Sequence, residues 1–172
     1  PHKVEVMKYI DVVTDGAKKL GSVNTVVNRD GKLYGYNTDA DGFCMALTKA
    51  GIEIENSRIL IIGAGGVVRP TLIKLIDNKP KSITVVNRTK SKAKTLAEDI
   101  LKSTGFEVNT EIDKLEFDIV INTTSAGMEP QENVMPIDNI EEINDLSFIN
   151  ENTAAVDMIY LSLIHISEPT RP

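Results

Sequence analysis

Several features that the sequence lacks narrow the classes of protein it can belong to. There is no tryptophan and only one cysteine, Cys44, so no intramolecular disulfide can form, which fits a reducing compartment. No apolar run approaches the ~20 residues that span a bilayer, and no basic-then-apolar leader opens the chain. Lys and Arg (19) are fewer than Asp and Glu (25), and this net charge of -6 disfavours nucleic acid and anionic membranes as partners. These absences predict a soluble, cytoplasmic protein.

The composition that remains is that of a globular protein, but both ends of the chain are unusual. The 172 residues are enough for one domain, or for one domain and part of another. The chain opens at Pro1 without an initiator Met, so we expect a missing upstream part. Residues 161–172 resemble the translation of a sequencing-library adapter, and we expect a non-native tail there. The alternative is a natural C-terminal strand and tail.

The sequence pattern of the first third of the chain predicts a β-hairpin with one helix before it and one after it. Residues 4–20 carry apolar side chains at helical spacing, and Gly21 follows as a C-cap. Two β-rich runs, 23–28 and 32–36, flank an Asp-Gly step, which is a strong hairpin signal. A second helix follows and ends at Gly51.

The rest of the chain alternates strands and helices, which is typical of an α/β fold with a parallel sheet. A continuous apolar run predicts a strand buried on both faces at 59–62, and we expect further strands at 83–86, 117–121 and 154–159. Helical spacing predicts one helix holding Val68 to Ile76 and another holding Ala93 to Leu101. The acidic segment 129–150 contains two prolines, and we expect a loop with short helical pieces.

A glycine turn joins the strand at 59–62 to its helix and predicts a nucleotide site. The turn consists of Gly63, Ala64, Gly65, Gly66 and Val67. The first glycine permits a tight turn, the second lets the backbone approach a pyrophosphate, and the helix supplies N–H groups. Val68 replaces the third glycine of the usual fingerprint, and Pro70 falls in the first helical turn, where it is tolerated. The alternative is a turn without a ligand.

The end of the next strand favours NADP over NAD. The residues there are Asn87, Arg88, Thr89 and, three positions later, Lys92. An NAD-specific fold usually places an acid at this point, whereas a guanidinium and an ammonium suit a 2′-phosphate. Thr89 could equally be a helix N-cap. We expect Lys90 and Lys94 on a solvated helix face.

Seven motifs in the same order resemble those of the shikimate dehydrogenase family. They lie at 1–3, 23–26, 36–42, 63–67, 87–89, 121–128 and 157–160. Each is weak alone, but together they are specific and cover essentially all of residues 1–160. The resemblance implies a Rossmann-like parallel-sheet nucleotide-binding domain at 39–160, preceded at 1–38 by the remnant of an α/β substrate-binding domain.

The resemblance also implies a reaction, the reversible NADPH-dependent reduction of 3-dehydroshikimate to shikimate, in the biosynthesis of aromatic amino acids. We expect the enzyme to be a monomer or homodimer and to need no metal. Lys3 would be the general acid/base, since an ammonium can protonate and stabilise an alkoxide, and Asp39 would hold it. Three further residues would contact the substrate: Asn24, Thr38 and Tyr160. Three others would contact the cofactor: Asp15, Thr123 and Met158.

Each of these assignments has a plainer alternative. Lys3 could be an ordinary surface lysine, and Asp39 could cap the helix that follows. Asn24 could satisfy backbone groups in a turn, and Tyr160 could pack at a strand end. Residues 122–124 could shape a loop without doing chemistry.

Two rival functions remain open for the parent protein: a quinate/shikimate dehydrogenase using NAD(P), and a non-catalytic nucleotide-binding module. The family's serine and threonine substrate contacts fall before residue 1, and a glutamine contact falls after Tyr160. We therefore expect the 172-residue chain to be inactive or nearly so by itself.

Overall fold

The fold of the chain was obtained as a computed structural model, which describes residues 2–126, 133–138, 140–141 and 143–158. The first part contains a 3₁₀ helix at Glu5–Tyr9 and a small sheet with its flanking helices. The elements are β1 (Val12–Val13), α1 (Asp15–Leu20), β2 (Thr25–Arg29), β3 (Lys32–Tyr36) and α2 (Asp39–Lys49). The strand order is β1-β3-β2, with β1 parallel and β2 antiparallel to β3.

The prediction of one continuous helix over 4–20 is wrong. The chain becomes extended at Ile10, and Val12 and Val13 pair in parallel with β3. The carboxylate of Asp11 accepts the Leu33 N–H at 2.7 Å, which holds this segment beside β3. Pairing with a strand about twenty residues away therefore overrides the helical spacing of the apolar residues. The two β-branched valines favour this extended conformation.

The hairpin and the helix ends agree with the sequence pattern. Asp30 and Gly31 form a two-residue turn with φ of 50° and 83°, the left-handed pair that a type I′ turn requires. Gly21 closes α1 at φ 69°, and its N–H bonds back to the helix. The Asp-Gly prediction is confirmed.

The second sheet is entirely parallel, as the alternation of strands and helices predicted. Its elements are β4 (Arg58–Ile62), α3 (Val68–Asp77), β5 (Ser82–Val86), α4 (Lys90–Thr104), β6 (Ile119–Asn122) and β7 (Ala154–Asp157). The strand order is β5-β4-β6-β7. β6 begins two residues later than the apolar run, and Pro70 lies in the first turn of α3 as expected.

One isolated bridge explains the topology of this sheet. Asn109 pairs in parallel with Thr84, donating to Ile83 O at 2.9 Å and accepting from the Val85 N–H at 2.8 Å. Asn109 is thus a third strand reduced to one residue, outside β5. The chain runs outward from β4 to Asn109 and then returns to β6, so the direction of strand order reverses between β4 and β6. Open α/β sheets bind ligands at this switch point, and the fold is Rossmann-like.

The two faces of the second sheet bury different clusters. Ile59 and Ile61 face the main core, which includes residues of α2, α3 and α4. Leu60 and Ile62 face a second cluster that includes Ile137. Each fully buried side chain of this kind stabilises the fold by about 1.5–3 kcal/mol.

The segment that covers the second face contains no helix among its described residues, so the expected short helical pieces are not found there. It forms successive turns, in which Ile140 N–H bonds to Ile137 O at 2.9 Å and Ile143 N–H to Ile140 O at 3.1 Å. The three-residue spacing puts these isoleucines on the sheet without a continuous helix.

Charged contacts fasten the first part of the chain to the second. Arg69 of α3 donates to Lys19 O and Leu20 O at 3.2 and 3.1 Å, closing the end of α1. Lys74 of α3 pairs with Asp41 of α2 at 2.7 Å.

Among the described residues, no helix is long and apolar enough to cross a bilayer.

Candidate nucleotide and substrate sites

A cleft of about 320 Å³ opens at the carboxyl ends of β4 and β6, at the switch point of the second sheet. Seven residues predicted to bind the cofactor line it: Gly63, Ala64, Gly65, Asn87, Arg88, Lys92 and Thr123. Thr124, Ser125 and Ala126 form the opposite wall. A larger, more open depression of about 510 Å³, between the C-terminal ends of α2 and α3, contains none of the predicted residues.

The glycines of the turn are there for two different reasons. Gly63 has φ 116°, and a Cβ there would lie 2.4 Å from Thr123 Oγ1. The packing of the chain itself therefore requires this glycine. A Cβ at Gly65 or Gly66 would meet nothing within 4 Å. Those two glycines leave open space above the turn, which fits the close approach of a bound pyrophosphate.

The helices that begin beside the cleft leave their first turns open to an anion. Neither Val67, the N-cap of α3, nor Thr89, the N-cap of α4, makes a side-chain capping bond, and neither first turn contains an acid. By contrast, Thr14 caps α1 and Asp39 lies in the first turn of α2. The Val68 N–H bonds to Gly65 O and the Lys92 N–H to Thr89 O, each at 3.0 Å, so the positive dipole end of each helix is what favours an anion at α3 and α4.

Two cations at the end of β5 are available for a ligand. Arg88 and Lys92 line the cleft, and neither forms an ion pair with any residue that the structure describes. Their neighbours Lys90 and Lys94 form exposed ion pairs with glutamates at 2.8 and 3.6 Å. Of these four cations, the two that line the cleft are thus the ones without an ion-pair partner in the part of the chain that the structure describes.

The residues at the end of β6 are bound to other parts of the chain. Thr123 Oγ1 donates to Ile62 O at 2.8 Å, and Asn122 O accepts the Met158 N–H at 2.9 Å. The hydroxyl that was predicted to contact the cofactor therefore also shapes the glycine turn. Loop shaping, the plainer alternative for residues 122–124, has direct geometric support, and a cofactor contact of Thr123 stays a prediction.

Four of the five residues predicted at the substrate side lie together at the start of α2. Lys3 Nζ donates to Asp39 Oδ2, and both side chains keep about half of their surface exposed (51% and 53%). Asn24 Nδ2 donates to Thr38 Oγ1 at 3.2 Å, and Asn24 Oδ1 accepts the Thr38 N–H at 3.1 Å. Tyr160 lies outside the described residues.

Local structure explains how these side chains meet. The Val23 N–H donates to Lys3 O at 2.8 Å, which anchors the first residues beside β2. Thr38, rather than Asp39, occupies the N-cap position of α2, and Thr38 makes no side-chain capping bond. Asp39 is the first helical residue, and its side chain reaches Lys3 instead of capping the helix.

The other predicted cofactor residues do not line the cleft. Asp15 begins α1 with a fully exposed carboxylate 3.4 Å from Lys18 Nζ. Gly66 and Thr89 are next to lining residues along the chain. Val67 follows Gly66, and Met158 bonds to Asn122, which precedes the lining residue Thr123.

Comparison with known proteins places the chain among dehydrogenases. Residues 45–158 match the family described as shikimate / quinate 5-dehydrogenase. The shikimate dehydrogenase (NADP(+)) of Nitrosopumilus maritimus is 40% identical over 171 residues, covering 95% of this chain and 58% of that protein. The corresponding protein of a Geobacillus species (strain WCH70) is 42% identical over 165 residues, covering 93% and 57%.

Solved structures agree in fold. A crystal structure of shikimate dehydrogenase in complex with NADP+ superposes with a TM-score of 0.78 at 36% identity, covering 93% of this chain and 55% of that one. The chain therefore spans less than two thirds of the length of these relatives. Because the family match extends over more than half of its residues, the chain belongs to the shikimate/quinate 5-dehydrogenase family.

Proposed function

We propose that the chain is part of an NADP-dependent shikimate dehydrogenase, which reversibly reduces the ketone of 3-dehydroshikimate to the alcohol of shikimate. The bound nucleotide supplies the hydride. The observation that carries the proposal is the pair of cations, Arg88 and Lys92, beside an open glycine turn at the switch point. We further propose that residues 1–38 belong to a substrate-binding domain and residues 39–160 to a nucleotide-binding domain.

On the cofactor side, the N-terminal turn of α3 binds the pyrophosphate and the cations bind the 2′-phosphate. The open space at Gly65 and Gly66 supports the first contact. A planar guanidinium that can bind two phosphate oxygens supports the second, with Lys92 as an additional charge. NADP is favoured over NAD because β5 is followed by Asn87 and Arg88, without a carboxylate for the ribose hydroxyls.

On the substrate side, Lys3 carries the proton to and from the reacting oxygen. Asp39 keeps the ammonium in place through their ion pair. Asn24 and Thr38 bind substrate hydroxyls, for which an amide is suited because it donates and accepts at once. Tyr160 is proposed as a further substrate contact on the resemblance alone.

We also propose that the parent protein acts on this small molecule in the cytoplasm, as a monomer or homodimer. The single half-buried thiol of Cys44, with no second cysteine to pair with, supports a reducing compartment.

Nucleotide binding by the chain tests the cofactor assignment. Titration by calorimetry should give NADP an affinity at least about tenfold higher than NAD, since charge-assisted hydrogen bonds contribute about 1.5–3 kcal/mol. Arg88→Ala should remove most of this preference and reduce its salt dependence. Lys94→Ala is the matched control, because Lys94 lies on α4, just after Arg88 in the chain, but is paired with Glu111. Equal affinity for NAD and NADP would overturn the assignment.

Turnover by the full-length reading frame tests the substrate assignment. Shikimate and quinate are each assayed with NADP and NAD, and shikimate with NADP should give the highest kcat/KM. Lys3→Ala should abolish turnover while leaving the affinity for NADP unchanged, because Lys3 lies outside the nucleotide cleft. A preference for quinate with NAD would favour the rival dehydrogenase, and full turnover by Lys3→Ala would remove Lys3 from the chemistry.

A further inference from the structure

We infer that Asn122 is a positioning residue, whose buried amide ties the ends of β6 and β7 to the loop that forms the nicotinamide side of the cleft. The inference rests on the proposed function, because it assumes that the cleft binds NADP. Asn122 does not line the cleft itself. It acts through the residues that do.

The amide of Asn122 uses both of its ends. It is the last residue of β6, and its side chain is almost fully buried. Nδ2 donates to Asp157 Oδ1 at 3.1 Å, across the β6–β7 pairing. Oδ1 accepts from the Thr124 N–H at 3.0 Å and from the Thr124 hydroxyl at 2.7 Å. An amide can donate from one end and accept twice at the other, whereas an ionised carboxylate has no donor and an apolar isostere has neither donor nor acceptor.

A second hydrogen bond carries this constraint to the wall of the cleft. Thr124 Oγ1 accepts the Ala126 N–H at 3.2 Å, and both residues line the cleft. The methyl group of Thr124 also lies 3.2 Å from where a Cβ on Gly63 would be, so the loop is packed on the glycine turn. A change in the Asn122 amide is therefore expected to shift Thr124 and Ala126 in the wall of the cleft, and not only the end of β6.

The topology assigns this wall to one half of the nucleotide. The cations Arg88 and Lys92 follow β5, and the glycine turn follows β4. A nucleotide with its 2′-phosphate at β5 and its pyrophosphate at β4 extends its other half over β6 and β7. Asn122 therefore positions the nicotinamide half and leaves the adenosine half unaffected.

Asn122→Asp is the decisive substitution, with two ligands as probes. The new carboxylate cannot donate to Asp157, and it opposes a second carboxylate across the same contact. NADPH should bind the chain more weakly, on the order of tenfold, as expected for a buried polar contact that is lost. The affinity for 2′,5′-ADP, which has no nicotinamide half, should change by less than about twofold. Retained binding of 2′,5′-ADP also shows that the variant is folded.

A second substitution should restore the hydrogen bond between positions 122 and 157, with donor and acceptor exchanged. In Asn122→Asp/Asp157→Asn the amide at position 157 donates to the carboxylate at position 122, which still accepts from Thr124. NADPH affinity should return to within about threefold of the original. Thr124→Val, which keeps the shape but removes the hydroxyl, should weaken NADPH binding alone. Asn78→Asp, at an exposed amide on the end of α3, is the control for added charge.

The outcomes separate this inference from the proposed function. If Asn122→Asp weakens NADPH and 2′,5′-ADP equally, or the double variant does not recover NADPH binding, the positioning role is wrong and the proposed function stands. If the unsubstituted chain binds neither ligand, the proposed function fails and this inference with it.

Discussion

Replacing Gly63 with alanine tests how far packing alone dictates the glycine turn. Alanine rarely adopts φ 116°, and strain of this kind costs about 1–3 kcal/mol. The new Cβ would lie 2.4 Å from Thr123 Oγ1, so the threonine must rotate. Rotation breaks its 2.8 Å hydrogen bond to Ile62 O, which contributes about 0.5–1.5 kcal/mol. We expect the free energy of unfolding to fall by about 2–4 kcal/mol.

Urea unfolding followed by far-UV circular dichroism measures this loss, because the chain has no tryptophan for fluorescence. The midpoint should fall while the slope stays unchanged. A double-mutant cycle with Thr123→Ala separates strain from the steric clash. With the hydroxyl removed, Gly63→Ala should cost about 1 kcal/mol less than in the original chain.

Gly65→Ala is the matched control in the same turn. A Cβ there would meet nothing within 4 Å, so the free energy of unfolding should change by less than about 0.5 kcal/mol. Equal losses at Gly63 and Gly65, or exact additivity with Thr123→Ala, would refute the packing argument.

Three further predictions concern binding, acid stability and thiol reactivity. Gly65→Ala should lower NADPH affinity in calorimetry, since the methyl group fills space that the proposed ligand needs; unchanged affinity would argue against a pyrophosphate there. Hydrogen bonds from Arg58 hold the pKa of Asp118 below its usual value. This stabilisation is complete above the unfolded-state pKa near 4 and is lost as the pH falls through the lower folded-state value, so Asp118→Asn should flatten the acid limb of urea midpoints measured against pH. Burial, and then the charge of Asp41, raise the pKa of the Cys44 thiol, so a disulfide reagent should react more slowly with the native than with the urea-unfolded chain; equal rates would contradict this.

Local features of this protein could be predicted from the sequence because their causes are local. The Asp-Gly turn needs two left-handed residues, and Asp30 and Gly31 supply them. β4 and β5 are buried on both faces from their second residue onward, so each is visible in the sequence as a run of mostly apolar residues. The glycine turn follows one of these runs directly, and for that reason the sequence alone predicts where the turn lies.

Features that depend on pairing between distant residues could not be predicted. Helical spacing over residues 4–20 gives no sign that Val12 and Val13 pair with β3. The single bridge at Asn109 is too short to leave a β pattern, yet it determines where the strand order reverses. Sequence spacing likewise does not reveal that Lys90 and Lys94 have partners while Arg88 and Lys92 have none among the described residues.

The sequence by itself determined the α/β alternation, the glycine turn, the cations after β5 and the family motifs, because each is a pattern within a few consecutive residues. The family resemblance also implied that Asp39 holds Lys3, and the two side chains do meet. Only the tertiary structure decided the other contacts: Thr123 requires Gly63, and Asn122 joins two strand ends, through contacts between segments 60 and 35 residues apart. Such contacts follow from strand register and packing, and they leave no periodic signal in the chain.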